Sequence, residues 1–400
     1  MTEFYRNMNL AEDGAWCWFS DPRGFYHCGI NEHTYLSWIT SRGHIRVCQF
    51  DHRTNRLQTV TVKESLEVND HDNPTIVLRP DGRLMIFYCR HTCDLFIYYR
   101  ISVHPEDISA WGEERFVPYI SNGNVTYPVA FFLPAEDNRL FLIYRGLDWQ
   151  PTLQISDDWG ETWSKPVKII QGAERPYTKL EADSRGRIHI AFTDGHPRDE
   201  QQNRIYYLCY EKGAFYRSDG RLIKRVEEGA VTTTEAELVY DASLGKAWIW
   251  DIAADNAGFP VIVYAVLPGE KQHYYRYVHR TAQHWEDHGV ASGGSWFPET
   301  PAGESEREPH YSGGIVLDHD DPSAVFLSRQ VRDVFEIEKW VTLDGGNSWL
   351  SVAITADSHL SNVRPFVPRQ HRTGSFDVVW MQGHYVHYTN YSTSLKYCNL

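Results

Sequence analysis

Along the chain, apolar runs of six or seven residues recur, each entered from a short polar turn. The turns fall at Glu32-His33, Asp81-Gly82, Asp137-Asn138, Arg185-Gly186, Ala257-Gly258, Asp320-Asp321 and Thr373-Gly374. The runs leaving them read TYLSWIT, RLMIFY, RLFLIY, RIHIAF, FPVIVY, SAVFLS and SFDVVW. β-Branched and aromatic residues dominate these runs, which predicts strands rather than helices. A second strand follows each: HIRVCQF, LFIYYRI, TLQIS, RIYYLCY, HYYRYVH, FEIEKWVT and YVHYTNY. The mean spacing from the first turn to the last is roughly 57 residues, and seven such units use up about 400 residues. Four strands per unit with nothing left over predict an all-β fold, a seven-bladed β-propeller forming one catalytic domain over residues 1–400. In blade two, strands are expected near residues 74–79 and 83–89.

Two outer hairpins carry a sharper signal. Ser156-Asp-Asp158-Trp-Gly160-Glu-Thr-Trp163 and Thr342-Leu-Asp344-Gly-Gly346-Asn-Ser-Trp349 both fit S/T-x-D-x-G-x-x-W. The Asp side chain can bond turn amides, Gly permits a positive φ, and Trp packs between strands. This is the Asp-box of sialidase-like propellers, and it speaks for fold rather than for function.

Composition narrows the partners. Aromatic residues make up 14% of the chain, with 14 Trp and 24 Tyr, which suits β-structure and leaves rings available for stacking on sugars. A formal charge of -14 argues against a nucleic-acid backbone as partner, whereas local arginine clusters can still bind an acidic glycan. The seven cysteines are odd in number and lack zinc-ribbon spacing, so they read as mostly reduced, buried thiols. No run approaches the length of a membrane-spanning helix. The polar start MTEFYRNMNLAEDG lacks a signal-peptide core, so the expected protein is cytoplasmic, or secreted with its leader removed. A monomer with no membrane partner is expected.

The polar residues gather at one end. A residue before the first strand of an inner hairpin and one after its second lie at the same end, because the strands are antiparallel. In blade two these are His71 and His91, and in blade three Tyr127 and Arg145. Blade four offers Arg175, Tyr177 and Lys179 against His196 and Arg198. Trp248 and Trp250 open the blade-five hairpin, His310 and Tyr311 that of blade six opposite Arg329, and Arg364 the last, opposite Gln382. The far ends of the same hairpins carry ordinary turn residues, which predicts one functional mouth and one bland one.

Such a set restricts the chemistry. No serine nucleophile elbow and no HExxH motif is present. A glycosidase usually needs two carboxyl groups flanking the bond; Asp70, Asp72 and Asp194 are the nearest, and each could equally bond a backbone amide. His and Tyr beside Arg instead suit abstraction of a carbon-bound proton next to a carboxylate. Arg pairs with the uronate and offsets charge as the enolate-like state develops, while His or Tyr moves the proton. That is β-elimination.

At these residues the chain resembles the BNR-repeat propeller lyases, the ulvan lyases and the L-rhamnose-α-1,4-D-glucuronate lyases. The resemblance is carried by HDNPTIVLRPDGRLMIFYCRH, YPVAFFLPAEDNRLFLIYRG, SDDWGETW, RPYTKLEADSRGRIHIAFTDGHP, WIWDIAADNAGFPVIVY, EPHYSGG and LSRQVRDVFEIEKW. It implies a catalytic centre of His71, His91, Tyr127 and Arg145, with His71 and Tyr127 ranked first for proton transfer. Arg175, Tyr177, Lys179, His196, Arg198, Trp250, His310, Tyr311, Arg329 and Arg364 would bind substrate. It also implies an acidic saccharide of rhamnose and uronate as partner, with cleavage of a rhamnose–(1,4)–glucuronate linkage on arabinogalactan-type side chains first and ulvan endolysis second. No cofactor and no metal are expected in the chemistry, although some relatives hold a structural zinc, for which His196, Cys209 and Cys93 are the candidate ligands. A sialidase-like glycosidase and a non-catalytic glycan-binding propeller are the readings from other classes.

Overall fold

The computed structural model describes residues 7–118, 124–269, 271–298 and 300–400. Its strands build seven blades, whose innermost strands are Gly24–Cys28, Thr75–Leu78, Thr126–Leu133, Thr178–Ala182, Lys246–Ala254, Ile315–Leu317 and Asn362–Phe366. Among the described residues, helix is confined to four single 3-10 turns, and no helix is long and apolar enough to cross a membrane. In blade two the observed strands are Thr75–Leu78 and Leu84–Tyr88, as the periodicity predicts.

Each blade is packed on both faces by its neighbours, so second strands are apolar throughout rather than alternating. Leu84–Tyr88 and Ile188–Thr193 are buried at every position, whereas the outer strand Leu350–Ala353 is exposed along its length. The two Asp-boxes form equivalent turns. Gly160 N–H donates to Ser156 Oγ and Gly346 N–H to Thr342 Oγ1, both at 2.7 Å, and the two glycines have φ of 99° and 100°. Asp158 and Asp344 each accept a backbone N–H four residues on, at 2.8 Å. Trp163 packs on Phe87 and Tyr99, and Trp349 on Tyr277, so each Asp-box indole wedges onto the preceding blade.

Met8–Ala11 pairs antiparallel with Asn390–Cys398 as the outermost strand of blade seven, which closes the ring between the two ends of the chain. The chain then dives into the central channel. Residues Ala15 to Asp21 are buried there and touch blade after blade. Cys17 N–H donates to Asp70 O at 2.9 Å, Trp18 Nε1 to Ile249 O at 2.9 Å, and Trp16 Nε1 to Arg364 O at 3.1 Å. Phe19 packs on Tyr127, Tyr177 and Trp248. This plug fills the axis with aromatic side chains and forms the floor of the funnel above it. Periodicity does not reveal it, because AWCWFSDPRG belongs to no strand of the repeat.

Two boundaries differ from the sequence reading. The strand containing TYLSWIT starts at Glu32, so the turn before it lies at residues 29–31 instead of Glu32-His33. In the last blade YVHYTNY is not one strand. Val378–His387 runs to the funnel end, Tyr388-Thr389 turns, and Asn390–Cys398 returns. A continuous aromatic run hid a tight turn.

Candidate active site

The same backbone device sets a side chain in blades three and seven, Tyr127 in the funnel and Arg364 beneath its floor. Tyr127 and Arg364 each precede a proline, which cannot donate to the ladder, and each sits in a bulge. Thr126 pairs Arg145 and Val129 pairs Ile143, while Val363 pairs Met381 and Phe366 pairs Val379. Tyr127 and Arg364 take φ of 58° and 52°, a left-handed backbone that costs about 1–3 kcal/mol in a non-glycine residue. The bulge turns both side chains toward the axis.

Four side chains named from sequence converge there. The rings of His71 and His91 stack with centroids 4.4 Å apart, and Tyr127 lies 5.8 Å from each. The Arg145 guanidinium lies 4.9 Å from the Tyr127 ring and 3.9 Å from that of Tyr177, beside the pair, whose centroids are 6.0 Å apart. It donates weakly to Pro176 O at 3.5 Å, and its buried Nε has no partner among the described residues. Tyr177, His196 and Tyr311 continue the cluster, with His196 5.6 Å from Tyr177 and 6.2 Å from Tyr311. Arg175 and Arg198 bracket the rim, both paired with Asp199.

Beneath this layer lies a charged support. His71 Nδ1 is 2.7 Å from Asp70 Oδ1, an ion-pair contact off the line of an ideal hydrogen bond. Asp70 Oδ2 accepts from Tyr385 Oη at 2.5 Å and from the fully buried Arg364, which also donates to Trp16 O at 2.6 Å. Burial disfavours the His71 imidazolium, but Cys17 and the Asp70 carboxylate outweigh it and hold the ring well above the ordinary histidine range. Burial, then the His71 charge and Arg145, drive His91 well below that range. One imidazole of the stacked pair is therefore charged and the other neutral. His91 Nδ1 meets Asn69 Nδ2 only at 3.5 Å, too long to fix its tautomer. His196 is also pushed well below the ordinary range, by burial and Arg198, but its Nδ1 accepts the Arg198 N–H at 3.0 Å, which puts its proton on Nε2. Tyr127 is raised well above the usual phenol value by burial and by Tyr177, so it stands protonated.

The funnel carboxyl groups are committed. Asp72 accepts the His91 N–H at 2.6 Å and is pushed up to about 9 by burial and Glu67, so it is a neutral acid at neutral pH. Asp194 pairs with Arg204 at 3.0 Å. Glu308, buried and raised by desolvation, pairs with Arg198 at 3.2 Å.

Several expected substrate contacts belong to the support. Lys179 is buried and donates to Trp18 O at 2.6 Å and to Asp21, neutralising the plug from below. Trp250 stacks on Trp18 at 3.9 Å inside the channel, and Arg364 is committed to Asp70. These three cannot touch a sugar without dismantling the floor. Arg329 pairs with Glu338 at 2.8 Å across its own blade, and no contact among the described residues joins it to the His71 cluster. His310 stands at the rim against Trp296, lowered to about 4 by burial and Lys246. His196, Cys209 and Cys93 do not come together as a ligand set among the described residues. The opposite mouth is not bland: His319 lies 2.9 Å from Asp251 and 3.0 Å from Glu181, which also pairs Arg369. Those charges satisfy one another, which explains why turn-like sequence there conceals them.

Three residues went unforeseen. Tyr388 leans edge-on over His71 at 4.7 Å from the concealed turn of blade seven. Cys17 arrives on the plug. Glu308 directly precedes Pro309 and His310 in the phrase EPHYSGG, a carboxylate visible in the sequence beside two funnel residues.

Residues 33–292 match the profile of the BNR repeat-containing family. No curated protein matches the chain by sequence. Among solved structures, an ulvan lyase of a polysaccharide lyase family superposes with a TM-score of 0.76 at 15% identity, covering 98% of this chain and 96% of its own. The same values hold for that ulvan lyase bound to a saccharide described as -[GlcA(1-4)Rha3S]-. At that identity the likeness is one of fold.

Proposed function

The chain belongs to the BNR repeat-containing family, and we propose that it is a polysaccharide lyase cleaving a rhamnose–(1,4)–glucuronate linkage by β-elimination. The observation that carries this reading is the convergence of two stacked imidazoles, a phenol and a guanidinium around one space, with ring centroids 4.4–5.8 Å apart and the guanidinium 4.9 Å from the phenol ring. Arg145 receives the uronate carboxylate, and its charge together with that of His71 stabilises the negative charge spreading onto it as C5 loses its proton. By elimination the acceptor is His91, because His71 and Tyr127 already carry protons and His196 presents an N–H. The C5–H bond breaks toward His91, a C4=C5 double bond forms, and the C4–O4 pair leaves with O4, which takes the Tyr127 proton. Return of the proton from His91 to Tyr127 resets the site, so one proton moves from C5 to O4 overall. In glucuronate the C5 hydrogen and O4 are syn, so donor and acceptor can stand on one face of the ring, as the adjacent rings of His91 and Tyr127 do.

The rhamnose-capped side chain of arabinogalactan, which offers a rhamnose linked to C4 of a glucuronate, is the first substrate of this reading. Ulvan endolysis is the second reading, favoured by the full-length likeness to the ulvan lyase. Incubation with each polymer, followed by the ultraviolet absorbance of the conjugated unsaturated uronate, tests both. A lyase gives the chromophore with one of them. Reducing ends without it would indicate a glycosidase, and no cleavage with retained binding a lectin-like propeller.

The charged state of His71 gives a pH test. Without the Asp70 carboxylate, burial acts with less opposition and the His71 pKa falls. In Asp70→Asn the high-pH limb of kcat/KM should therefore move to lower pH, while the low-pH limb set by His91 stays below the ordinary histidine range. Arg364 loses its partner in the same variant, so stability should drop by about 3–5 kcal/mol, and the profile should be taken well below the variant's unfolding temperature. An unmoved high-pH limb would show that His71 need not be charged.

A further inference from the structure

We propose that Trp296 is the platform of a second sugar subsite on the funnel rim, binding a neutral hexopyranose of the substrate chain outside the cleaved pair. The proposal rests on the lyase reading for its substrate. Trp296 follows the last strand of blade five, Trp285–Ser295, and begins the crossing to blade six over the funnel face. It is only half-buried although it is the largest of side chains, and its buried ring nitrogen has no partner among the described residues. A buried indole N–H normally finds an acceptor.

Trp296 lines two recesses at once, of about 370 Å³ each, within the size of small-ligand sites. One holds Lys271, Glu306 and Gln330, the other Lys246, Gln201 and His310. An apolar ring face flanked by amide and hydroxyl-binding groups is what a pyranose requires, with its C–H face on the indole and its hydroxyls at the edges. Neither recess has an arginine fork among its described lining residues, which favours a neutral ring over a uronate. Lys271 stands near the carboxyl of Glu306, Lys246 Nζ is committed to Pro197 O at 2.8 Å, and His310 is neutral. The subsite is continuous with the catalytic cluster. His310 lies 4.6 Å from Trp296, its neighbour Tyr311 contacts His196, and His196 contacts Tyr177 beside Arg145.

The test uses whichever polymer the protein cleaves, as a rhamnosyl-glucuronate disaccharide and as oligosaccharides extended by neutral sugars. Trp296→Leu should raise KM about tenfold on the extended substrates, a loss on the scale of one stacking contact, with kcat kept. On the disaccharide it should change neither constant. Trp296→Phe, which keeps a flat ring, should recover most of the affinity and guards against a folding defect in the leucine variant. Equal KM changes on short and long substrates, or none on either, would overturn the subsite. Should wild type yield no unsaturated product, calorimetric titration with the intact oligosaccharides decides separately. Binding weakened by Trp296→Leu then upholds the subsite while the lyase reading falls, and unchanged or absent binding overturns the subsite too.

Discussion

Tyr127→Phe is expected to lower kcat by roughly 10²–10⁴-fold on a confirmed substrate, the usual scale for a positioned proton-transfer group, with little change in KM. The variant removes one oxygen and keeps the ring that Arg145, Phe19 and His71 pack against. Its fold and its uronate site should therefore survive, and the loss should fall on the step in which O4 departs. A substrate analogue carrying a better leaving group at C4, one that needs no proton, separates this role from simple positioning. On it the phenylalanine variant should recover most of the missing rate, whereas His91→Ala, which removes the acceptor of the C5 proton, should stay slow. If Tyr127→Phe keeps near-normal turnover on the natural linkage, the phenol is not the donor. If both variants recover equally, the two roles are not divided as proposed.

The inner hairpins were legible because their signal is local. An apolar run, a turn and a second run specify a blade edge without reference to the rest of the chain, and antiparallel pairing then assigns each flanking residue to one end. That logic suffices to bring His71, His91, Tyr127 and Arg145 to one mouth. It does not give depth along the axis. Lys179 and Arg364 open hairpins as Tyr127 does, yet they lie below the floor, because the plug from Ala15 to Asp21 brings a carboxylate and backbone carbonyls that need cations. Trp250 reads as a sugar platform until Trp18 is placed on it. Tyr388 was lost for a different reason. Aromatic and β-branched residues fill both a strand and the turn that interrupts it, so the 388-389 turn left no compositional mark. In this chain the repeats place the reacting side chains, while the floor beneath them comes from the non-repeating segment and Tyr388 from the turn in the closing blade.

Arg145→Lys is expected to cost on the order of 10²-fold in kcat, as for loss of one transition-state donor, because lysine keeps the charge but not the planar fork. The guanidinium lies against both the Tyr127 and the Tyr177 ring, which also touch each other, and among the described residues its Nε has no partner and its hydrogen bond, to Pro176 O, is weak. That is the arrangement of a group oriented by aromatic packing, with a polar edge left for a ligand. A lysine ammonium in the same space cannot stack flat and would offer a single direction of approach. The sharper measurement changes the substrate. With the carboxylate esterified or reduced to an alcohol, wild type should lose most of its activity, since neither Arg145 nor the His71 charge then has an anion to stabilise. Arg145→Ala should be little worse than wild type on that neutral sugar and far worse on the charged one. Melting curves of the variants exclude a collapsed Tyr127–Tyr177 stack as the cause. Equal proportional losses on the charged and neutral substrates would mean that Arg145 does not meet the carboxylate, and would move that role to Arg175 or Arg198 on the rim.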